Sequence, residues 1–364
     1  MLISDAAIAY LRLVMARGIG PRIGRQLISA CGSVQAIWTH TPNQLREIDG
    51  VGPKLVEVLQ ATREKSAQAI AHHCHQNNIQ LICMEDAEYP DQLKACDDAP
   101  LLLFAKGDLT ALSSRRMLAV VGARKASRES RLIARRWSSY CSKRGVTIVS
   151  GMAYGVDAAA HGGALEGDSP TVAVLGCGLE TISEPQQRQV EAIAAQGCVI
   201  SEYLPDVTGR AEHFPQRNRI IAGLSEATLV VEAGLKSGSM ITAGQALAYG
   251  REVLAVPGSV LNDAHAGCHQ LIRDGAMLVE SADDLLRHLG WSQQSEKVDQ
   301  SYLPANDHEA KILTALSLEI MHLDRLADAC GLTVTELSPS LLALELQGVI
   351  ERLPGSRYSL GGKS

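Results

Sequence analysis

The 364-residue chain is long enough for two or three domains, and its 46% apolar content with only two Phe implies a sizeable, aliphatic core. Its net charge of −6 argues mildly against a nucleic-acid partner as a sum, so the distribution of charge must decide that question. Nine cysteines without a Cys-x-x-Cys pair argue against a disulfide scaffold, and no basic n-region or spanning apolar run speaks for a signal peptide or a membrane, so a cytoplasmic protein is expected.

Residues 1–72 read as helical and contain a repeat. Arg17-Gly18-Ile19-Gly20-Pro21 returns as Asp49-Gly50-Val51-Gly52-Pro53, each glycine 32 residues after its counterpart. Gly-apolar-Gly makes a tight turn, and Pro suits the first position of the helix that follows. The pair resembles the helix-hairpin-helix (SAM-like) module, whose exposed amides grip DNA phosphates without reading sequence. His72-His73-Cys74-His75 mimics a metal cluster, but consecutive helical residues point different ways, so no metal is expected. Residues 73–112 hold two short strands, Ile79–Cys83 and Pro100–Ala105, taken as a lead-in packed on the next domain; with it the central region spans 73–290.

From about residue 115 to 290, six apolar β-branched runs alternate with helical patterns. The strands are Met117–Val121, Val146–Val149, Thr171–Leu175, Cys198–Ile200, Thr228–Val231 and Glu252–Val256. The helical stretches are Arg128–Arg144, Asp157–Leu165, Gln186–Gln196 and Met240–Tyr249. Continuously apolar strands separated by helices imply an α/β fold, a Rossmann-like doubly wound parallel sheet covered on both faces. Three loops then share one carboxyl edge: Gly122-Ala123-Arg124-Lys125-Ala126-Ser127, Ser150-Gly151-Met152-Ala153-Tyr154-Gly155 and Ser237-Gly238-Ser239. Free amides at helix starts favour anions, and Phe214 to Arg219 (Phe-Pro-Gln-Arg-Asn-Arg) adds Arg217, Asn218 and Arg219 just upstream of the fifth strand. The ligand should be a polyanion. Between Ser113 and Arg144 stand ten Lys/Arg against one acid, Glu129. The candidate DNA-binding set is therefore Gly122, Ala123, Arg124, Lys125, Ser127, Ser150, Gly151, Gly155, Phe214, Arg217, Asn218, Arg219, Ser237, Gly238 and Ser239, with no catalytic residue and no metal ligand.

These motifs resemble the DNA-processing protein A family (DprA, also called Smf): Gly122-Ala123-Arg124, Ser150 to His161, Phe214 to Ser225, Ser237 to Ala243 and Pro257-Gly258, in family order. Where that family often places a lysine before the phenylalanine, this chain has Arg210-Ala211-Glu212-His213. The resemblance implies a non-enzymatic single-stranded DNA-binding protein without cofactor. It implies that the protein protects incoming strands in natural transformation, displaces or coexists with single-strand binding protein, and loads RecA recombinase. It also implies a homodimer formed through the central domain. The competing reading is a nucleotide-processing enzyme of the Rossmann-like phosphoribohydrolase type. Ser237-Gly238-Ser239 lacks the Pro-Gly-Gly-x-Gly-Thr loop of those enzymes, and no acid lies between Ser239 and Tyr249. Asp157 and His161, four residues apart, form a conceivable acid/base pair; the favoured reading has Asp157 meeting the helix dipole and His161 packing one turn on.

Residues 291–306 read as a polar linker, and 307–364 as helices closed by a short hairpin, the pattern of a winged helix. From Glu296 to Ser364 there are six basic residues and ten acids, and Leu332 to Leu346 has no Lys or Arg. A module with that balance repels phosphates, so a protein contact or a structural role is expected of it.

Overall fold

The computed structural model describes residues 4–291, 304, 306–316, 321–346, 349–353 and 355–360. The chain divides into two compact units, Met1–Ser292 and Gln293–Ser364. Apart from residues 291, 304 and 306, the expected linker lies outside the described residues.

The first unit begins with helices α1 (Asp5–Met15), α2 (Pro21–Cys31), α3 (Pro42–Arg46), α4 (Pro53–Ala61) and α5 (Glu64–Gln76). Both repeated turns behave as their sequence dictates. Gly20 and Gly52 stand at the N-caps of α2 and α4, and Pro21 and Pro53 open those helices. Strand β1 (Gln80–Cys83), helix α6 (Asp91–Lys94) and strand β2 (Leu102–Gly107) follow. Next come β3 (Met117–Val121), α7 (Arg128–Ser142), β4 (Thr147–Ser150), α8 (Val156–Ala164), β5 (Thr171–Leu175), α9 (Glu184–Gln196) and β6 (Cys198–Ser201). The unit closes with α10 (His213–Leu224), β7 (Ala227–Val230), α11 (Gly238–Ala248), β8 (Glu252–Ala255), α12 (Ala266–Arg273), β9 (Met277–Leu278) and α13 (Ala282–His288).

The nine strands form one sheet in the order β1-β2-β6-β5-β4-β3-β7-β8-β9. From β6 to β9 every pairing is parallel. The strands expected to be a lead-in instead extend this sheet, β2 pairing antiparallel with β6 and β1 with β2. Their apolar run explains this: Leu102, Leu103, Phe104 and Ala105 are fully buried, which an edge packed only on one side could not achieve.

Alternation along β3 sends Met117, Ala119 and Val121 to one face and Leu118 and Val120 to the other. On the second face α7, α8 and α13 contribute Ala134, Cys141, Val156, Ala160, Leu285 and Leu286. On the first, α9 to α12 contribute Ile193, Ile221, Ala246 and Leu271, and the same cluster runs without a break into Tyr10, Leu11, Leu27 and Leu59 of the N-terminal helices. The helical region is thus built onto one face of the sheet.

The second unit contains α14 (Asp307–Leu316), β10 (Met321–His322), α15 (Leu323–Cys330), α16 (Val334–Leu346), β11 (Ile350–Leu353) and β12 (Arg357–Leu360). Its three strands pair in the order β10-β12-β11 around a core of Ile312, Leu326, Leu337, Leu341, Leu344, Ile350 and Tyr358. Helices closed by an antiparallel hairpin are a winged helix, as the sequence predicts. No helix among the described residues is long and apolar enough to cross a membrane.

Candidate nucleic-acid interface

In strand order the chain passes from β3 through β4 and β5 to β6, then returns to place β7 on the other side of β3. Such a reversal opens a crevice at the carboxyl ends of the strands. A pocket of about 470 Å³ lies there, walled by Gly122, Ala123 and Arg124 after β3, by Phe214, Arg217 and Asn218 of α10, and by Ser237, Gly238 and Ser239 at the start of α11. The sequence pattern left the stretch from His213 to Ser225 without an element, and it proves to be a helix that forms one wall.

The charged residues of this region divide sharply. Arg124 is exposed, and its guanidinium carbon lies 5.1 Å from the centroid of the half-buried Phe214 ring. Lys125 and Lys236 are exposed, Lys236 lining the pocket. Among the described residues no carboxylate pairs with any of these three. Arg128, Arg131 and Arg136 are exposed along α7, whereas Arg135 is ion-paired with Glu166.

Arg217 was expected to face the ligand, and its position is different. It is only 3% exposed, and its Nη1 donates to the Gly151 carbonyl at 2.5 Å and to the Val174 carbonyl. Nε donates to Asn218 Oδ1 at 3.1 Å. The guanidinium therefore pins the ends of β4 and β5. Gly151 is required beneath it, because a Cβ there would come within 2.5 Å of the guanidinium. Arg219 turns away from the pocket, donating to the Asp98 carbonyl and pairing with Glu202. Asn218 stays at the pocket and donates to the Gly238 carbonyl at 3.3 Å. Ser150 is fully buried, with its hydroxyl donating to the Val120 carbonyl at 2.6 Å, so it does not reach the pocket. Gly155, at φ 85°, lets the loop before α8 press on the carbonyls of Ala123 and Arg124, 2.3 and 2.6 Å from where a Cβ would be.

Helix starts were expected to present amides to the ligand, yet two of the three are occupied by the protein's own carboxylates. At α7, Glu232 accepts the Ser127 N–H at 3.0 Å, and Ser127 spends its hydroxyl capping Ser130. At α8, Asp157 accepts the Ala153 N–H at 3.3 Å. At α11 the cap is only the Ser237 hydroxyl, which accepts the Ser239 N–H. Anion attraction at this edge thus comes from α11 and from the side chains of Arg124, Lys125 and Lys236.

Burial pushes the Asp157 carboxyl up to about 6, with Arg217 and the amides of Ala153 and Gly151 opposing the shift. Burial also lowers Arg217 to about 10, against the attraction of Asp157. His161 lies beneath, fully buried, its Nδ1 2.8 Å from the Thr171 hydroxyl, and burial lowers it to about 3. A neutral imidazole bonded to a sheet threonine is a packed residue, in line with the structural reading of the Asp157/His161 spacing.

The sequence reading passed over three residues. Lys236 directly precedes Ser237-Gly238-Ser239, and that position was the signal available. Tyr154 is 61% exposed in the loop before α8 and is, with Phe214, an aromatic at this edge. Glu232 ends an apolar strand run and reads as an ordinary strand terminus until the fold brings it to Ser127.

The family described as DNA recombination-mediator protein A matches residues 80–290 of the chain, a DprA winged helix domain matches 296–356, and a SAM-like helix-hairpin-helix tandem matches 10–61. Protein Smf of Synechocystis sp. is 34% identical, covering 94% of this chain and 96% of its own. Among solved structures, DNA processing protein A of Streptococcus pneumoniae superposes with a TM-score of 0.66 at 32% identity, over 79% of this chain and 98% of that one. DNA processing protein A of Helicobacter pylori, described for its unique single-stranded DNA binding mode, superposes with a TM-score of 0.53 at 28% identity, over 58% of this chain and 95% of that one. With the sheet, the crevice and both flanking modules in agreement, this chain belongs to the DNA-processing protein A (DprA/Smf) family.

Proposed function

We propose that this protein binds single-stranded DNA without enzymatic action, protects incoming strands in natural transformation, and loads RecA recombinase onto them in the cytoplasm. The observation that carries the reading is the crevice above β3, where Arg124 and Lys236 stand unpaired beside a helix start that holds no carboxylate. Amides, serines and arginine facing phosphates carry no base information, so binding is sequence-blind. Phe214 and Tyr154 offer faces on which unstacked bases can lie, which favours single strands over duplex. The Helicobacter pylori relative, described for its binding of single strands, supports the same assignment. The working form is a homodimer through the central domain, whose terminal strand β9 leaves Met277 and Leu278 exposed. RecA and single-strand binding protein are the protein partners, and no cofactor takes part.

Filter-binding titrations of oligo-dT and of duplex at several salt concentrations test the proposal. It requires tighter, salt-sensitive binding of the single strand; equal affinity for both would transfer the main site to the helix-hairpin-helix repeat. A nucleotide-processing reading draws on one observation, the Asp157 carboxyl at the pocket wall with its raised proton affinity. Release of free base from nucleoside 5′-monophosphates by the purified protein would establish that reading instead.

A further inference from the structure

The loop from Gly122 to Ser127 carries two unpaired cations, Arg124 and Lys125, and something must hold such a loop against their mutual repulsion. Both of its ends are attached to one residue, Glu232, in the loop just after the neighbouring strand β7. The backbone carbonyl of Glu232 accepts the Ala123 N–H at 2.8 Å, and its carboxylate accepts the Ser127 N–H at 3.0 and 3.3 Å. That carboxylate is 2% exposed, beside a His265 ring whose Nε2 is 3.8 Å away. Burial opposes its charge, but hydrogen bonds from Ser127 and Ser130 outweigh burial and hold it below the usual carboxylate range. Glu232 itself does not line the pocket.

We infer that Glu232 is a positioning residue for the DNA site: by gripping Ala123 and Ser127 it fixes the loop that presents Arg124 and Lys125 to the phosphates. The inference rests on the reading of the pocket as a single-strand site. It runs against simple electrostatics. Removing a buried negative charge next to a cationic site would, by Coulomb's law alone, tighten binding of a polyanion. Positioning predicts the reverse, so the sign of the effect decides.

The test uses the full-length protein and oligo-dT, with Glu232→Gln, Arg124→Ala and the double variant in one thermodynamic cycle. Glu232→Gln should weaken binding about tenfold, the loss of one charge-assisted hydrogen bond, and should flatten the salt dependence by about one phosphate. The double variant should lose clearly less than the product of the two single losses, because both act through the Arg124 contact and only that of Lys125 is left to lose. Tighter or unchanged binding by Glu232→Gln, or losses that multiply in the double variant, would overturn the inference. Wild-type affinity of Arg124→Ala would sink the DNA reading itself, and the inference with it. Should Glu232→Gln fail to fold, the grip can be released from the other side. Ser127 has φ −57°, which a proline ring accepts, so Ser127→Pro deletes the donor N–H while Ser127→Ala keeps it. Ser127→Pro should then bind about tenfold more weakly than Ser127→Ala; equal affinities for the two would again overturn the inference.

Discussion

Arg217 and Arg124 are both candidate ligand contacts by sequence, yet Arg217 is buried and bonded to two carbonyls whereas Arg124 is exposed at the pocket. Arg217→Met removes the donor shared by the Gly151 and Val174 carbonyls and the cation that most favours the charge of the buried Asp157. Two buried carbonyls without donors cost roughly 1–3 kcal/mol each. Asp157 also loses the favourable influence of that cation, a smaller cost because it can take up a proton instead. The expected loss is about 2–6 kcal/mol, a large share of the roughly 5–15 kcal/mol that holds a domain together. All three tryptophans, Trp38, Trp137 and Trp291, belong to the first unit, so their fluorescence during urea unfolding reports on that unit alone. Arg124→Ala in the same assay should leave the midpoint in place, since that side chain is exposed and lies over the Phe214 ring without a carboxylate partner among the described residues. An Arg217→Met protein as stable as wild type but unable to bind oligo-dT would refute the assignment and return Arg217 to the ligand.

Arg124→Ala should weaken single-strand binding by roughly 1–3 kcal/mol and lower the salt slope by about one phosphate, read from filter binding at four salt concentrations. Phe214→Leu and Tyr154→Ala should each cost roughly 1–3 kcal/mol on oligo-dT with no change in salt slope; a changed slope would mean that phosphates, not bases, meet these residues. Asp157 and His161 should tilt stability in opposite directions with pH. Between 3.8 and about 6 the folded Asp157 keeps a proton the unfolded chain has lost, so its contribution falls as pH rises. Between about 3 and 6.5 the folded His161 lacks a proton the unfolded chain holds, so its contribution rises with pH. Relative to wild type, Asp157→Asn should therefore gain stability from pH 4.5 to 5.5 by up to about 1.4 kcal/mol and His161→Asn should lose it, measured by urea midpoints; curves parallel to wild type would contradict both assignments. The fragment 300–364 should bind little DNA, because the exposed positions of α16 include Val334, Ser338 and Leu342 and no cation. Tight, salt-sensitive binding by that fragment, abolished by Arg352→Ala with Arg357→Ala, would show that its wing works as a DNA contact.

Much of this molecule was legible in its sequence. Short apolar runs rich in β-branched residues and bounded by turn residues, such as Thr171–Leu175, suit strands buried on both faces, so the parallel sheet and its carboxyl-edge loops followed from local pattern. Gly20-Pro21 and Gly52-Pro53 marked their helix starts because their backbone preferences are local. The antiparallel extension by β1 and β2 was not legible, since a short apolar run does not say which neighbour it pairs with. Nor was the division of labour among the charges. An arginine in a motif and an arginine on a surface look alike in one dimension. Whether its guanidinium meets solvent or two carbonyls depends on strands 43 and 66 residues away, as it does for Arg217. The same holds for the helix starts, where Glu232 reaches Ser127 across 105 residues. Local pattern set the elements and the edge proposed for the ligand; only tertiary packing decided which cations there remain without a carboxylate partner, because the satisfaction of buried polar groups is settled between segments and not within them.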